Sequence, residues 1–219
     1  MFGVDFLSLL LPVYLRGMSA SYPALRMRRG RSSPWMRSML AENRLHPSDF
    51  ILPLFVCAGS SCEEPIGSLP GVSRWSVDRI AERAKQAAAL GVPCIALFPN
   101  TPNDLRTDDA KEALNPDNLI CRATKEIKDA VPEIGVLTDV ALDPYTAHGH
   151  DGIIDESDWV INDDTVAILV EQALVQAQAG ADIIAPSDMM DGRVGAIRAA
   201  LEGEGHQNVA IMAYAAKYA

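Results

Sequence analysis

Five short apolar runs, separated by longer amphipathic stretches, set the strongest limit on what this chain can fold into. They are Ile51 to Val56 (ILPLFV), Cys94 to Phe98 (CIALF), Gly135 to Val140 (GVLTDV), Asp182 to Ala185 (DIIA) and Val209 to Ala213 (VAIMA). Each is nearly continuous rather than alternating, the pattern of strands covered on both faces. Helical patterns lie between them. Ser76 to Leu90 places a serine cap before an apolar stripe and stops at Gly91; Asp164 to Ala179 stops at Gly180. A third begins at Asp191, the expected cap, and runs to about Leu201. Strands alternating with helices imply parallel strands joined by right-handed crossovers. The strand centres fall near positions 54, 96, 138, 184 and 212. The expected fold is α/β, a TIM (β/α)8 barrel of which about five strands are present. Residues 1–45 read as an extended N-terminal arm and 46–219 as the partial barrel. A doubly wound open sheet is the rival, but no glycine-rich phosphate loop follows any of the runs.

Charge narrows the function classes. The net charge is −10, from 29 acidic and 19 basic residues, which argues against a protein built to displace counterions from nucleic-acid phosphates. The basic residues crowd one segment: Arg16, Arg26, Arg28, Arg29, Arg31 and Arg37. Cys57, Cys62, Cys94 and Cys121 form no CxxC pair and no disulfide-like framework, so they read as reduced thiols of a cytoplasmic protein. Phe6 to Leu15 (FLSLLLPVYL) is too short to span a bilayer, contains Pro12 and follows Asp5 rather than positive charge. It reads as an extension upstream of a start at Met18, with no membrane partner.

In a β/α fold the reactive groups gather where the strands end. The fifth run leads into Tyr214-Ala215-Ala216-Lys217. A lysine there can enter a poorly solvated pocket, where desolvation frees the amine to attack a ketone and form an imine. A lysine marking the strand's exit into solvent would be written the same way. The third run leads into Asp139, Asp143, His148, His150 and Asp151, a dense polar loop. It reads either as acid/base groups or a hard-cation site, or as a solvated loop of turn formers. After the fourth run, Ser187 and Asp188 are placed to hydrogen-bond a substrate, and Phe98 after the second to wall a pocket.

Several of these strings together resemble the porphobilinogen synthase (δ-aminolaevulinate dehydratase) family. They are DVALDPYTAHGHDG, IIAPSDMMDGRVGAIR, IMAYAAKYA, EPIGSLPGVSRWSVD, CIALFPN and the arm RRGRSSPWMRSMLAENRLHPSDFILPLFV. The resemblance runs from about Arg26 to the end. It implies a lyase that condenses two δ-aminolaevulinate molecules into porphobilinogen for haem and other tetrapyrroles, through Schiff bases on two lysines.

Lys217 matches the first of these lysines. Asp139 and Ser187 match catalytic polar residues beside it, and Phe98, Asp188 and Tyr214 are expected on the substrate. Zinc-dependent members carry cysteines where this chain has Ala141, Asp143 and Asp151. The resemblance is thus to the aspartate-rich branch, without catalytic zinc and responsive to magnesium as a regulatory ion, whose ligands are expected mainly after Ala219, with Asp143 and Asp151 as candidates within this chain. Thiolates select zinc, and two carboxylates with a methyl remove that preference.

Family arms wrap a neighbouring subunit, which implies a homo-hexamer or octamer. Cys57-Ala58-Gly59 departs from the glutamate the family usually has before that glycine. The second lysine, the lid and the groups that grip substrate carboxylates are expected after Ala219, so the 219-residue chain is expected to be inactive as a synthase. A class I Schiff-base aldolase, an amidohydrolase using His148 and His150 as a metal pair, and a non-catalytic oligomer-interaction fragment are the rivals.

Overall fold

The computed structural model describes residues 21–217, so the FLSLLLPVYL run and Met18 lie outside the described residues. The chain divides into two compact units, Met1–Leu45 and His46–Ala219. The described part of the first holds a 3-10 turn, Met27–Arg31, and one short helix, α1 (Pro34–Leu40), opened by proline at its first position. Tyr22, Met27, Trp35, Met39, Leu40 and Leu45 are exposed there.

The second unit is built on a seven-stranded sheet. Its strands are β1 (Ile51–Cys57), β2 (Glu63–Pro65), β3 (Ser73–Ser76), β4 (Cys94–Asn100), β5 (Gly135–Val140), β6 (Ile183–Pro186) and β7 (Ala210–Ile211). The order is β2-β3-β1-β4-β5-β6-β7. All neighbours are parallel except β2 and β3. From β1 onward each new parallel strand of the series β4, β5, β6, β7 adds on the same side. That winding makes a barrel wall; a doubly wound sheet reverses its order at a switch point. The wall is not closed.

Four helices cover the outer face: α2 (Val77–Ala89), α3 (Leu119–Ala130), α4 (Asn162–Gln178) and α5 (Arg193–Gly203). Alternate strand residues point to opposite faces. Leu54, Val56, Ile95, Leu97 and Val136 point outward and pack on Ile80, Ala84 and Ala87 of α2 and on Ile120, Ala123 and Ile127 of α3. Val140 and Ile184 pack on Leu169 and Ala173 of α4 and on Ile197 and Leu201 of α5. Each fully buried Ile or Leu contributes roughly 1.5–3 kcal/mol. The inner face carries smaller residues, Cys94, Ala96, Leu137 and Ala185, with Phe98 at its upper edge.

Three expectations need correction. The helix expected from Asp191 starts at Arg193, because Gly192 takes the cap position at φ +81°, a conformation a side chain would strain. Asp191 is instead tied through its backbone N–H to Asn162 Oδ1 at 2.7 Å. Ser76 does precede α2, but its hydroxyl accepts from Cys62 N–H at 2.9 Å rather than capping the helix. The fifth strand is regular only over Ala210–Ile211, although Met212 and Tyr214 still donate to Ile184 and Pro186 at 2.9 and 3.0 Å. That extended ladder carries the chain toward Lys217.

β3 was not read from the sequence, and it matters. Trp75 faces outward, 8% exposed, with the Arg83 and Arg79 guanidinium carbons 3.9 and 4.9 Å from its ring centre. Alternation therefore turns Arg74 to the other face.

Candidate active site

A cavity of about 430 Å³ opens at the C-terminal ends of the strands. Lys217, Asp139, Ser187, Tyr214 and Phe98 all line it, as do Asp143, Asp151, Phe55 and Arg74. The backbone explains the convergence. Ser187 N–H donates to the Val140 carbonyl at 3.0 Å, locking the end of β6 to that of β5. Gln176 and Gln172 of α4, both buried, reach under the end of β5 and donate through Nε2 to the carbonyls of Asp139 and Ala141 at 2.9 and 3.1 Å.

Lys217 Nζ lies 3.6 Å from Asp151 Oδ2. Loss of water around Asp143, then the close approach and charge of the neighbouring Asp151 carboxyl, push the Asp143 carboxyl well above the usual range. Asp139 is raised to about 6, chiefly because burial disfavours its charge; the Ser187 hydroxyl and the Lys217 charge pull it part of the way back. Tyr214 is pushed up by burial and by the charge of Asp139. The cavity thus sets an amine beside carboxyls that hold protons near neutral pH. That combination can make and dehydrate a carbinolamine.

Asp188 is not in this constellation. It is 1% exposed, accepts from Met190 N–H at 2.7 Å and pairs with Arg193 at 3.1 Å, which fixes the loop before α5. His148 and His150 stack on each other at 5.4 Å and do not line the cavity. Among the described residues no three His, Cys, Asp or Glu side chains gather as a metal site. Asp143 and Asp151 both line the cavity, and a hard cation that keeps most of its water needs only one or two such carboxylates. Arg74 escaped the sequence reading: β3 is short and mostly polar, and nothing in its pattern marks an inward face.

Comparison with known proteins adds a family. The family model described as delta-aminolevulinic acid dehydratase matches residues 24–219. A curated relative of that name from Bradyrhizobium diazoefficiens is 55% identical over 217 aligned residues, covering 95% of this chain and 61% of the relative. A chloroplastic one from Physcomitrium patens is 51% identical, covering 89% of this chain and 45% of its own length. A crystal structure of the Toxoplasma gondii enzyme in complex with its reaction product porphobilinogen superposes with TM-score 0.85 at 44% identity, covering 89% of this chain and 55% of that one. This chain therefore spans about three-fifths or less of the relatives it matches. With a family match across nearly its whole length, the chain belongs to the delta-aminolevulinic acid dehydratase family.

Proposed function

We propose that this chain carries the first of the two Schiff-base lysines of a porphobilinogen synthase, Lys217, which forms an imine with the ketone of δ-aminolaevulinate. The observation that carries the reading is the meeting of Lys217, Asp139, Ser187 and Tyr214 in one cavity at the strand ends. In the reaction, the Lys217 ammonium first loses its proton to solvent, with Asp151 3.6 Å away steadying the side chain. The free amine adds to the ketone carbon, and the carbinolamine loses its hydroxyl as water. A carboxyl still protonated near neutrality, Asp139 or Asp143, supplies the proton that leaves with that hydroxyl. Phe98 and Phe55, 5.8 Å apart, give the carbon chain an apolar floor. No step is routed through a metal; a regulatory magnesium ion would take Asp143 and Asp151 as candidate carboxylate ligands, with water completing its shell.

The whole enzyme would condense two such molecules and lose water, feeding tetrapyrrole synthesis. Assembly as a hexamer or octamer is supported by the exposed Trp35, Met39 and Leu40 beside Arg37, a surface suited to packing against another copy. A reducing, cytoplasmic setting is supported by four free cysteines. No helix among the described residues is long and apolar enough to cross a membrane.

The test is borohydride reduction in the presence of δ-aminolaevulinate, followed by peptide mapping. Labelling at Lys217 is expected; labelling only by a sugar phosphate would instead favour an aldolase. Porphobilinogen formation is measured in parallel, and we expect none from the 219-residue chain.

A further inference from the structure

We propose that Thr146 is a positioning residue whose buried hydroxyl holds the Asp151 carboxylate against Lys217; this rests on the imine reading above. Lys217 Nζ and Asp151 Oδ2 meet at 3.6 Å from segments far apart in the chain. Asp151 belongs to an irregular loop, residues 143–151, which has no ladder of strand or helix bonds to fix it. The base of that loop is rigid. The Leu142 carbonyl accepts from the N–H groups of both Tyr145 and Thr146, at 2.8 and 2.9 Å. Those two residues are 2% and 0% exposed. The rim is open, with Asp143, Ala147, Gly149 and His150 all exposed.

One side chain joins the base to the rim. Thr146 Oγ1 donates to the His150 carbonyl at 3.0 Å, one residue before Asp151. Thr146 is wholly buried, so breaking this bond would leave its hydroxyl unpaired away from water, which is costly. On the other side of Asp151, the fully buried Thr165 accepts through Oγ1 from Ile153 N–H at 3.0 Å. Two buried threonines thus grip the chain on either side of Asp151, and Thr146 is the one inside the loop. Valine would fill the same space at position 146; what threonine adds is the tie to the rim. The tie bears on chemistry because a misplacement of about 1 Å in a reacting site costs up to about a hundredfold in rate.

A double-mutant cycle separates positioning from mere support of the fold. The rate of borohydride labelling of Lys217 at saturating δ-aminolaevulinate is measured for the 219-residue chain and for Thr146→Val, Thr146→Ser and Asp151→Ala. The double variant Thr146→Val with Asp151→Ala completes the set. Thr146→Val should slow labelling about five- to tenfold, and Thr146→Ser, which keeps the hydroxyl, should restore most of the rate. Asp151→Ala should be slowed as well, and adding Thr146→Val to it should change nothing more, because the group being held is gone. Thr146→Ala, which also removes the hydroxyl, takes the place of Thr146→Val if urea titration shows that variant unfolded. Three results overturn the proposal: an unchanged rate in folded Thr146→Val, a full rate in Asp151→Ala, or equal slowing by Thr146→Val with and without Asp151. The last would make Thr146 a support of the fold alone. No labelling of the unaltered chain would sink the imine reading itself, and the role of Thr146 with it.

Discussion

Lys217 Nζ stands 3.6 Å from Asp151 Oδ2, with 44% of the lysine side chain and 22% of the aspartate's exposed. A contact this open is worth at most about 1 kcal/mol. Lys217→Arg should therefore change the urea midpoint little, within about 1 kcal/mol. It should nonetheless end borohydride labelling, because a guanidinium is not a nucleophile under these conditions.

The Asp139 carboxyl gives stability a distinctive pH slope. In the unfolded chain it releases its proton near 3.8, and in the folded chain near 6. Below about 4 it is protonated in both states and costs nothing. As pH rises through that window only the folded state keeps the proton, so stability falls and then levels above about 6. The loss is on the order of 3 kcal/mol. Asp139→Asn cannot ionise, so it should be more stable than the unaltered chain at pH 8 and equal to it at pH 4 in urea titrations.

Gly152 follows Asp151 and has no room for a side chain. A Cβ built there would lie 2.6 Å from both Thr165 Oγ1 and Val160 Cγ1. Thr165 cannot yield easily, since its hydroxyl already accepts from Ile153 N–H at 3.0 Å. Gly152→Ala should cost roughly 1–3 kcal/mol by urea denaturation. It should also slow labelling of Lys217, because the displaced loop carries Asp151.

The site also depends on α4. Gln176→Leu keeps the volume but leaves the Asp139 carbonyl without its side-chain donor. We expect a loss of about 1–3 kcal/mol, together with weaker labelling. A variant that lost neither would show that β5 holds Asp139 unaided.

How much of this was legible in the chain depends on what kind of signal each part leaves. β5 coincides with the run Gly135–Val140, because a strand covered on both faces must be apolar throughout. α3 carries the same sort of signal in Leu119, Ile120, Ala123 and Ile127, and went unread. β2 and β3 could not be found this way. Glu63–Pro65 is exposed along its length, and Ser73–Ser76 is defined by pairing with β1 rather than by its own pattern. Arg74 was hidden for that reason. Family resemblance placed Lys217, Asp139, Ser187, Tyr214 and Phe98 near a substrate, and they do share a cavity. Asp188 was placed there too, yet a charge so close to Arg193 satisfies itself first. The meeting of Asp143 with Asp151 arises from the folding of an irregular loop, which no periodicity encodes.

The stacking of Arg79 and Arg83 on Trp75 gives the protein an optical reporter where one is most useful. Of its three tryptophans, Trp35 and Trp159 are 64% and 74% exposed and should emit as indoles in water, while Trp75, 8% exposed with two guanidinium groups against its ring, should emit further to the blue. The blue edge of the emission spectrum is therefore expected to come from β3. Light from that one ring reports whether the strand bearing Arg74 is still seated, in any variant and without an added dye.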